Sequence, residues 1–359
     1  MQGRSKEQPH RPRRQRGGVR LADVAAAAQV SAPLASRVLN ADPNVRATPE
    51  TKARVLEAAE QLGYVPNIAA KTLRQQRTGL LGLVVHNLSS PIYLDLLQGA
   101  RTEAAANNYF LVLGDVDELL TDDEAYRIFI NGKRVDGLIV QGGHGEFDQR
   151  IAEIARALPT VIVNAPPKST DTVAPLVAPD EVAATRMLTE HLLALGHARI
   201  GLISGPHDSP TNLLREQGVR DALAEAGHTL RDEDTAHLTW SAEAGRAGLR
   251  TLAGRWENTR DRPTALIGGN SLIGIGMLRA AAELDIAVPG DLSIAAVHDT
   301  WISEHLVPSL TTVSLPLREM GETAVRLLLT DTPRTQRTII SDPPPRLHAR
   351  ASTAIAREH

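Results

Sequence analysis

Between Leu21 and Asn40 apolar residues recur at helical spacing in two short runs separated by a turn. Val24, Ala25 and Ala28 share one face of a first helix over Leu21 to Ala28, and Gln29 and Val30 supply the turn. Ser31 suits the N-cap of a second helix running to about Asn40, and Pro33 falls in its first turn, where a missing N–H costs little. Leu34 and Val38, four apart, predict its buried face. Ala32, Ser36, Arg37 and Asn40 lie on another face, a small residue among polar groups that reach base edges or phosphates. The pattern predicts a helix-turn-helix, although an Ala-rich hairpin with a merely solvated outer face carries it too. A third helix starts at Thr48 as N-cap, with Pro49 and Glu50 in its first turn, and runs to about Leu62 with Val55, Leu56, Ala59 and Leu62 inward. Gly63 stops it.

From Tyr64 to Arg74 only about two helical turns fit before Gly79, and so short a helix is unstable alone in water. This stretch is either a plain linker or a segment that folds on contact with its target. From Leu80 the period changes. Short apolar runs over 80–85, 110–114, 137–141 and 161–164 read as buried strands, with helical stretches near 92–106, 122–133 and 148–157. The alternation repeats with helices near 180–195, 212–226, 241–252 and 271–284, and strands near 199–204, 236–239, 265–269 and 292–297. Two such runs predict two α/β lobes built on parallel sheets, with a cleft between them. Ligands in such sheets sit beyond the carboxyl ends of the strands.

The 359 residues exceed one ordinary domain, and 42% apolar content is enough for a large core. The absence of cysteine excludes disulfides, thiol catalysis and Cys-ligated zinc. The net charge of −3 hides an asymmetry: Met1 to Thr78 holds 14 of the 39 Lys+Arg but 6 of the 42 Asp+Glu, +8 against −11 for the remainder. A basic head on an acidic body points to polyanion binding at one end, although the Arg-rich first eighteen residues alone supply much of the excess. Those residues lack the apolar segment of a signal peptide and are expected to be disordered, adding non-specific phosphate attraction. No stretch approaches the roughly 20 apolar residues of a membrane span, so the cytoplasm is the expected location.

Enzyme chemistry finds little support. Gly274-Ile275-Gly276 starts like a dinucleotide fingerprint, but it lacks the last glycine and lies inside a predicted helix. Gly142–Gly145 reads as a turn. The twelve histidines show no metal-ligand spacing, and no Gly-x-Ser-x-Gly elbow supports a triad. No catalytic residue, metal or cofactor is expected.

Taken in order, the motifs resemble the LacI/GalR transcription regulators. They are Asp23, Val24, Ala25, Ala28, Val30, Ser31 and Ser36 to Asn40; Leu62–Asn67 with Ala70 and Leu73; Gly82–Val85; Arg134–Val140; Leu195–Pro206; Val288–Ile294; Pro308–Val313; and Arg350–Thr353. The resemblance spans about 19–355. It implies an N-terminal all-α helix-turn-helix domain joined to a two-lobed, periplasmic-binding-protein-like α/β domain. The boundaries it implies are a tail over 1–18, the helix-turn-helix over 19–65, a hinge helix and linker over 66–78, and a body over 79–359. The first lobe takes about 79–165 and 303–330, the second about 166–302 and 331–359, with three crossings between them.

The resemblance further implies a repressor that binds a palindromic double-stranded operator as a homodimer under control of a small-molecule effector, a sugar, sugar derivative or related metabolite. Carried over by position, the DNA-contacting set is Arg20, Leu21, Ser31, Ala32, Pro33, Ser36, Arg37, Asn40, Thr51, Asn67, Ala70, Lys71 and Leu73, with Leu73 the minor-groove wedge. The effector set is Ile92, Tyr93, Asn164, Arg215, Trp240, Asn270 and His298. Read locally, Trp240 also suits a core position, Tyr93 a helix staple and Arg215 a surface ion pair. The family often has Asp at the positions of Asn164 and His298, and Asn-Asp where Asn270-Ser271 stands. Fewer carboxylates beside Arg215 lead to the expectation of a different, anionic ligand. A solute-binding transport component and an enzyme on a doubly wound fold are the other classes. The first fits poorly with the basic head, the second with the missing catalytic set.

Overall fold

The structure is a computed structural model that describes residues 19–64, apart from 41 and 43, and 77–357, apart from 123, 125–126, 128–133, 144–145, 165–172 and 257–261. It divides into two units, Met1–Arg77 and Thr78–His359.

The first unit holds α1 (Leu21–Ala27), α2 (Ala32–Leu39) and α3 (Pro49–Leu62). Ser31 Oγ accepts from Leu34 N at 3.3 Å to cap α2. Thr48 Oγ1 does the same for Thr51 N at 3.3 Å, and α3 ends at Gly63 with φ 62. Each hydroxyl satisfies one N–H that the first turn leaves without a helical partner. Val24, Ala25, Ala28, Ala35, Val38, Val55, Ala58 and Ala59 form the core. Small alanines let three short helices approach closely. The stripe on α3 therefore runs through Val55, Ala58 and Ala59, and Leu56 and Leu62, expected inward, are 54% and 39% exposed.

In the second unit, β1 (Leu80–Val85), β2 (Phe110–Asp115), β3 (Gly137–Gln141), β4 (Thr160–Val163) and β5 (Leu176–Pro179) join β11 (Arg337–Ile340) in a sheet of order β11-β5-β4-β3-β1-β2. A second sheet, order β12-β10-β9-β8-β6-β7, holds β6 (Ile200–Ser204), β7 (Thr235–His237), β8 (Ala265–Gly268), β9 (Ser293–Val297), β10 (Thr311–Ser314) and β12 (Arg346–His348). Neighbouring strands run parallel except β10 and β12. The inner strands β3, β4, β6, β8 and β9 are buried along their whole length, which is why they read as unbroken apolar runs.

Helices cover the sheets: α4 (Leu94–Ala106), α5 (Val116–Thr121), α6 (Glu146–Ala157) and α11 (Leu317–Leu329) with the first, and α7 (Glu181–Ala194), α8 (Pro210–Glu225), α9 (Ala242–Ala253) and α10 (Ser271–Glu283) with the second. A Cβ on Gly276 of α10 would overlap the Ala242 carbonyl, and one on Gly274 would press on Ala296 and Leu310. The glycines that looked like the start of a dinucleotide loop thus serve close helix packing. The helix expected over 122–133 lies mostly outside the described residues, and α5 precedes it.

The chain passes between the sheets three times, at places that differ from the sequence reading. β5, expected in the second lobe, pairs with β4 in the first sheet. β10, expected in the first lobe, pairs with β9 in the second sheet, and β11, expected in the second, pairs with β5 in the first. Each is a four-residue strand whose sheet is set by a distant partner rather than by local pattern. Among the described residues no helix is long and apolar enough to cross a membrane.

Candidate functional site

On α2, burial of Ala35 and Val38 turns Pro33 and Arg37 outward and leaves Ala32, Ser36 and Asn40 half-exposed. Leu34, expected to be buried, is half-exposed and packs beside that core. Arg20 is exposed, and its backbone N–H donates to Asp23 Oδ2 at 2.8 Å, whereas Leu21 packs half-buried on the three-helix core. Thr51 Oγ1 lies 3.1 Å from Thr48 Oγ1. Besides Ser31 and Thr51, two longer side chains assigned to DNA are engaged within the unit. Arg37 Nε donates to Asp42 Oδ2 at 2.8 Å and Nη2 to the Asn44 carbonyl at 3.1 Å, tying α2 to the following loop. Asn40 Nδ2 donates to the Ser36 carbonyl at 2.6 Å. Arg46, Lys52 and Arg54 are exposed cations of the same unit. Asn67, Ala70, Lys71 and Leu73 lie outside the described residues.

In the second unit a cavity of ≈ 170 Å³ is walled by both sheets. Ile92, Tyr93, Asn164, Arg215, Trp240, Asn270 and His298 all line it. Asn164, Asn270 and His298 arrive there because they follow β4, β8 and β9, at the carboxyl ends where loops leave a parallel sheet. Asn164 and His298 take left-handed backbone, φ 79 and 69. For histidine this is a sparsely populated conformation that the surroundings must hold in place.

Arg215 is buried and largely engaged. Its Nε and Nη2 donate to Glu181 Oε2 and Oε1 at 2.7 and 2.8 Å, and Nη1 donates to the Gly269 carbonyl at 2.5 Å. Nη2 also lies 2.8 Å from His298 Nε2, and the guanidinium carbon sits 5.2 Å from the Trp240 ring centroid. Because an arginine only donates, His298 Nε2 accepts, and the ring proton is assigned to Nδ1. That atom is buried with no partner among the described residues. Burial first, and the Arg215 charge second, hold the His298 pKa well below the usual 6.5, so the ring is neutral.

Gln141 Nε2 donates to the Tyr93 hydroxyl at 2.9 Å, while its Oε1 accepts from His86 N at 2.9 Å. Burial raises the Tyr93 pKa and keeps the phenol protonated. Asn270 is less free than the sequence implied: its Oδ1 accepts from Ile273 N at 2.8 Å, capping α10. A Cβ on Gly205 would overlap the Trp240 indole, so glycine there admits the ring.

Glu181 and Gln141 were missed in the sequence. Glu181, first residue of α7, looks like any acidic residue at a helix N-terminus. Gln141 did carry a signal, a polar residue ending an apolar strand. No cluster of three or more His, Cys, Asp or Glu suited to a metal occurs among the described residues.

A three-helix unit with a helix-turn-helix and a two-sheet α/β body with a cavity between its sheets define a class of two-domain DNA-binding regulators. Family models agree: residues 20–67 match the bacterial regulatory proteins of the lacI family, and 189–353 the periplasmic binding protein-like domain. The transcriptional regulator MalR of Streptomyces coelicolor is 34% identical over 352 residues, 94% of this chain and 97% of that protein. A lac repressor dimer bound to operator and the anti-inducer ONPF has 26% identity and a TM-score of 0.76, over 94% of this chain and 99% of that one. A complex of the transcriptional regulator CelR with cellobiose has 26% identity and a TM-score of 0.68, over 93% and 99%. The chain belongs to the LacI family. It is a DNA-binding transcriptional regulator, not an enzyme.

Proposed function

We propose that this regulator is a repressor that binds a palindromic operator as a homodimer in the cytoplasm, and that a small molecule in the inter-sheet cavity controls it. The observation that carries the reading is the composition of the cavity wall. Tyr93, Gln141 and Asn164 come from the first sheet's side, and Arg215, Trp240 and His298 from the second's. A ligand there contacts both lobes at once and so favours one arrangement of them, the differential contact a controlling ligand needs. Asn164 Nδ2 already donates to Thr211 Oγ1 across the gap at 3.4 Å.

On DNA, the outward face of α2 enters the major groove, with Arg20, Leu21, Ser31, Ala32, Pro33, Ser36, Arg37, Asn40 and Thr51 at or near the contact. Asn67, Ala70, Lys71 and Leu73 form the hinge segment that folds against the minor groove. The dimer reading is supported by the edge strand β2, whose Phe110 and Leu113 are 77% and 41% exposed, with Leu94 51% exposed on α4 beside it. Such an apolar sheet edge favours a partner.

The test is selection of genomic fragments by the purified full-length chain, with and without added metabolites. Enrichment of an inverted repeat that one metabolite abolishes or creates is expected. Failure to enrich any inverted repeat under every condition overturns the reading.

A further inference from the structure

The charge of the cavity wall has a direction that the sequence did not show. Among the described residues, Arg215 is the one Arg or Lys that lines the cavity and no Asp or Glu lines it. Its charge is answered from behind by Glu181, both side chains being almost wholly buried, at 3% and 1% exposure. Asp115, close enough to act on Tyr93, adds further negative charge. Among the described residues, an entering carboxylate or phosphate gives up its hydration and finds no unbalanced positive charge.

The wall's hydrogen bonds also point one way. His298 Nε2 is taken by Arg215, which leaves Nδ1–H buried and unpartnered. The Tyr93 oxygen accepts from Gln141, which leaves its own O–H to donate. Asn270 Oδ1 is held by the α10 backbone and its Nδ2 donates one hydrogen to the Trp240 carbonyl at 3.5 Å, which leaves the second amide N–H. Trp240 offers a flat face beside them.

We propose that Glu181 sets this cavity to take an uncharged ring ligand rich in acceptor oxygens and to refuse carboxylates and phosphates, with His298 Nδ1–H donating to one of those oxygens. This reverses the anionic expectation drawn from the sequence, and it rests on the effector reading above. Glu181 is a positioning residue: it holds Arg215, and Arg215 fixes the His298 tautomer.

The experiment uses the full-length chain at constant ionic strength, with calorimetry and thermal shift. The probes are neutral hexoses, their methyl glycosides and disaccharides, the matching uronic acids and hexose phosphates, and inorganic phosphate as the bare anion. A neutral probe is expected to bind at least about 100-fold more tightly than its anionic counterpart. Trp240→Ala is expected to abolish that binding. Glu181→Gln is expected to narrow the gap by at least about tenfold and to let inorganic phosphate raise the melting temperature, with no such rise expected for the wild type.

An anion bound by the wild type as tightly as the neutral counterpart, and lost in Trp240→Ala, overturns the charge rule while leaving the cavity as the effector site. Binding untouched by Trp240→Ala overturns the effector reading itself. If no neutral probe binds, the phosphate arm decides: a shift in Glu181→Gln alone supports the rule, and a Trp240-dependent shift in the wild type, or none in either, defeats it. Should Glu181→Gln fail to fold, nitrogen-15 resonances of His298 in the wild type keep the proposal falsifiable. A neutral ring protonated on Nδ1 is expected, and protonation on Nε2 overturns it.

Discussion

Arg215 and Glu181 meet fork to fork in the interior of the second unit, Nε to Oε2 at 2.7 Å and Nη2 to Oε1 at 2.8 Å. One partner starts α7 and the other lies in the second turn of α8, so the pair staples two helices beneath the cavity. Paired buried charges contribute little net stability, but removing one leaves the other uncompensated. Glu181→Ala is therefore expected to lower the unfolding free energy by about 3–5 kcal/mol. Replacing both, with Arg215→Met and Glu181→Leu, is expected to restore most of that. Urea denaturation measures it, and a single-variant loss below about 1 kcal/mol would show that water already solvates the pair.

Three histidines titrate against folding at low pH. Burial lowers the pKa of His191, of His197 and, most strongly, of His298, where the Arg215 charge adds to burial. With the folded pKa below the unfolded one, the unfolded chain binds more protons as pH drops below 6.5, and the native state loses stability in that window. Stability should be at its plateau above that pH and fall steadily below it. His298→Asn should flatten the slope, as read from denaturation midpoints across about pH 5–8. An unchanged slope would mean that the ring is protonated in the native protein.

Gly205 tests the aromatic wall from behind, without changing any residue that lines the cavity. Because a Cβ there overlaps the indole, Gly205→Ala should push Trp240 out of its place. A cost of about 1–3 kcal/mol, the usual price of overpacking, should come with altered tryptophan emission and weaker effector binding. DNA binding without effector should be spared. Unchanged emission would show that the backbone, not the ring, absorbs the methyl group.

Much of the architecture was readable because its cause is local. Ser31 and Pro33 mark the start of α2, and apolar runs mark the inner strands, whose carboxyl ends are where ligands sit; Asn164 and His298, which follow two of those strands and line the cavity, came from the family resemblance. What escaped depends on distant partners. β5 and β11 pair with each other across more than a hundred residues, and neither four-residue stretch says which sheet it joins. Glu181 shows its role only once the fold brings Arg215, 34 positions later, against it. Leu56 follows the expected helical spacing, yet Ala58 lets α3 roll so that Leu56 faces out.

Arg37 links α2 to the loop that follows it through Asp42, an ion pair with 48% and 31% side-chain exposure. So exposed a pair contributes at most about 1 kcal/mol to stability. Arg37→Ala should therefore leave the unit folded while weakening operator binding by about 1–3 kcal/mol and relaxing specificity at one position. Asp42→Ala, which removes the ion pair and leaves the Nη2 bond to the Asn44 carbonyl, should disturb binding less. Mobility shift on single-base operator variants separates the two, and equal effects would assign Arg37 to the loop alone.

The family resemblance assigns Leu73 to a hinge for which the sequence leaves room for only about two helical turns, too few for a stable helix alone in water. If the segment folds only against a bent duplex, its apolar side chain acts as a wedge between base steps and carries no charge of its own. Leu73→Ala should then weaken specific operator binding by about 1–3 kcal/mol and leave non-specific binding, together with its steep salt dependence, unchanged. Titrations on operator and scrambled duplex at several salt concentrations make the comparison. An equal loss on both duplexes would place Leu73 in the folding of the protein rather than in the groove.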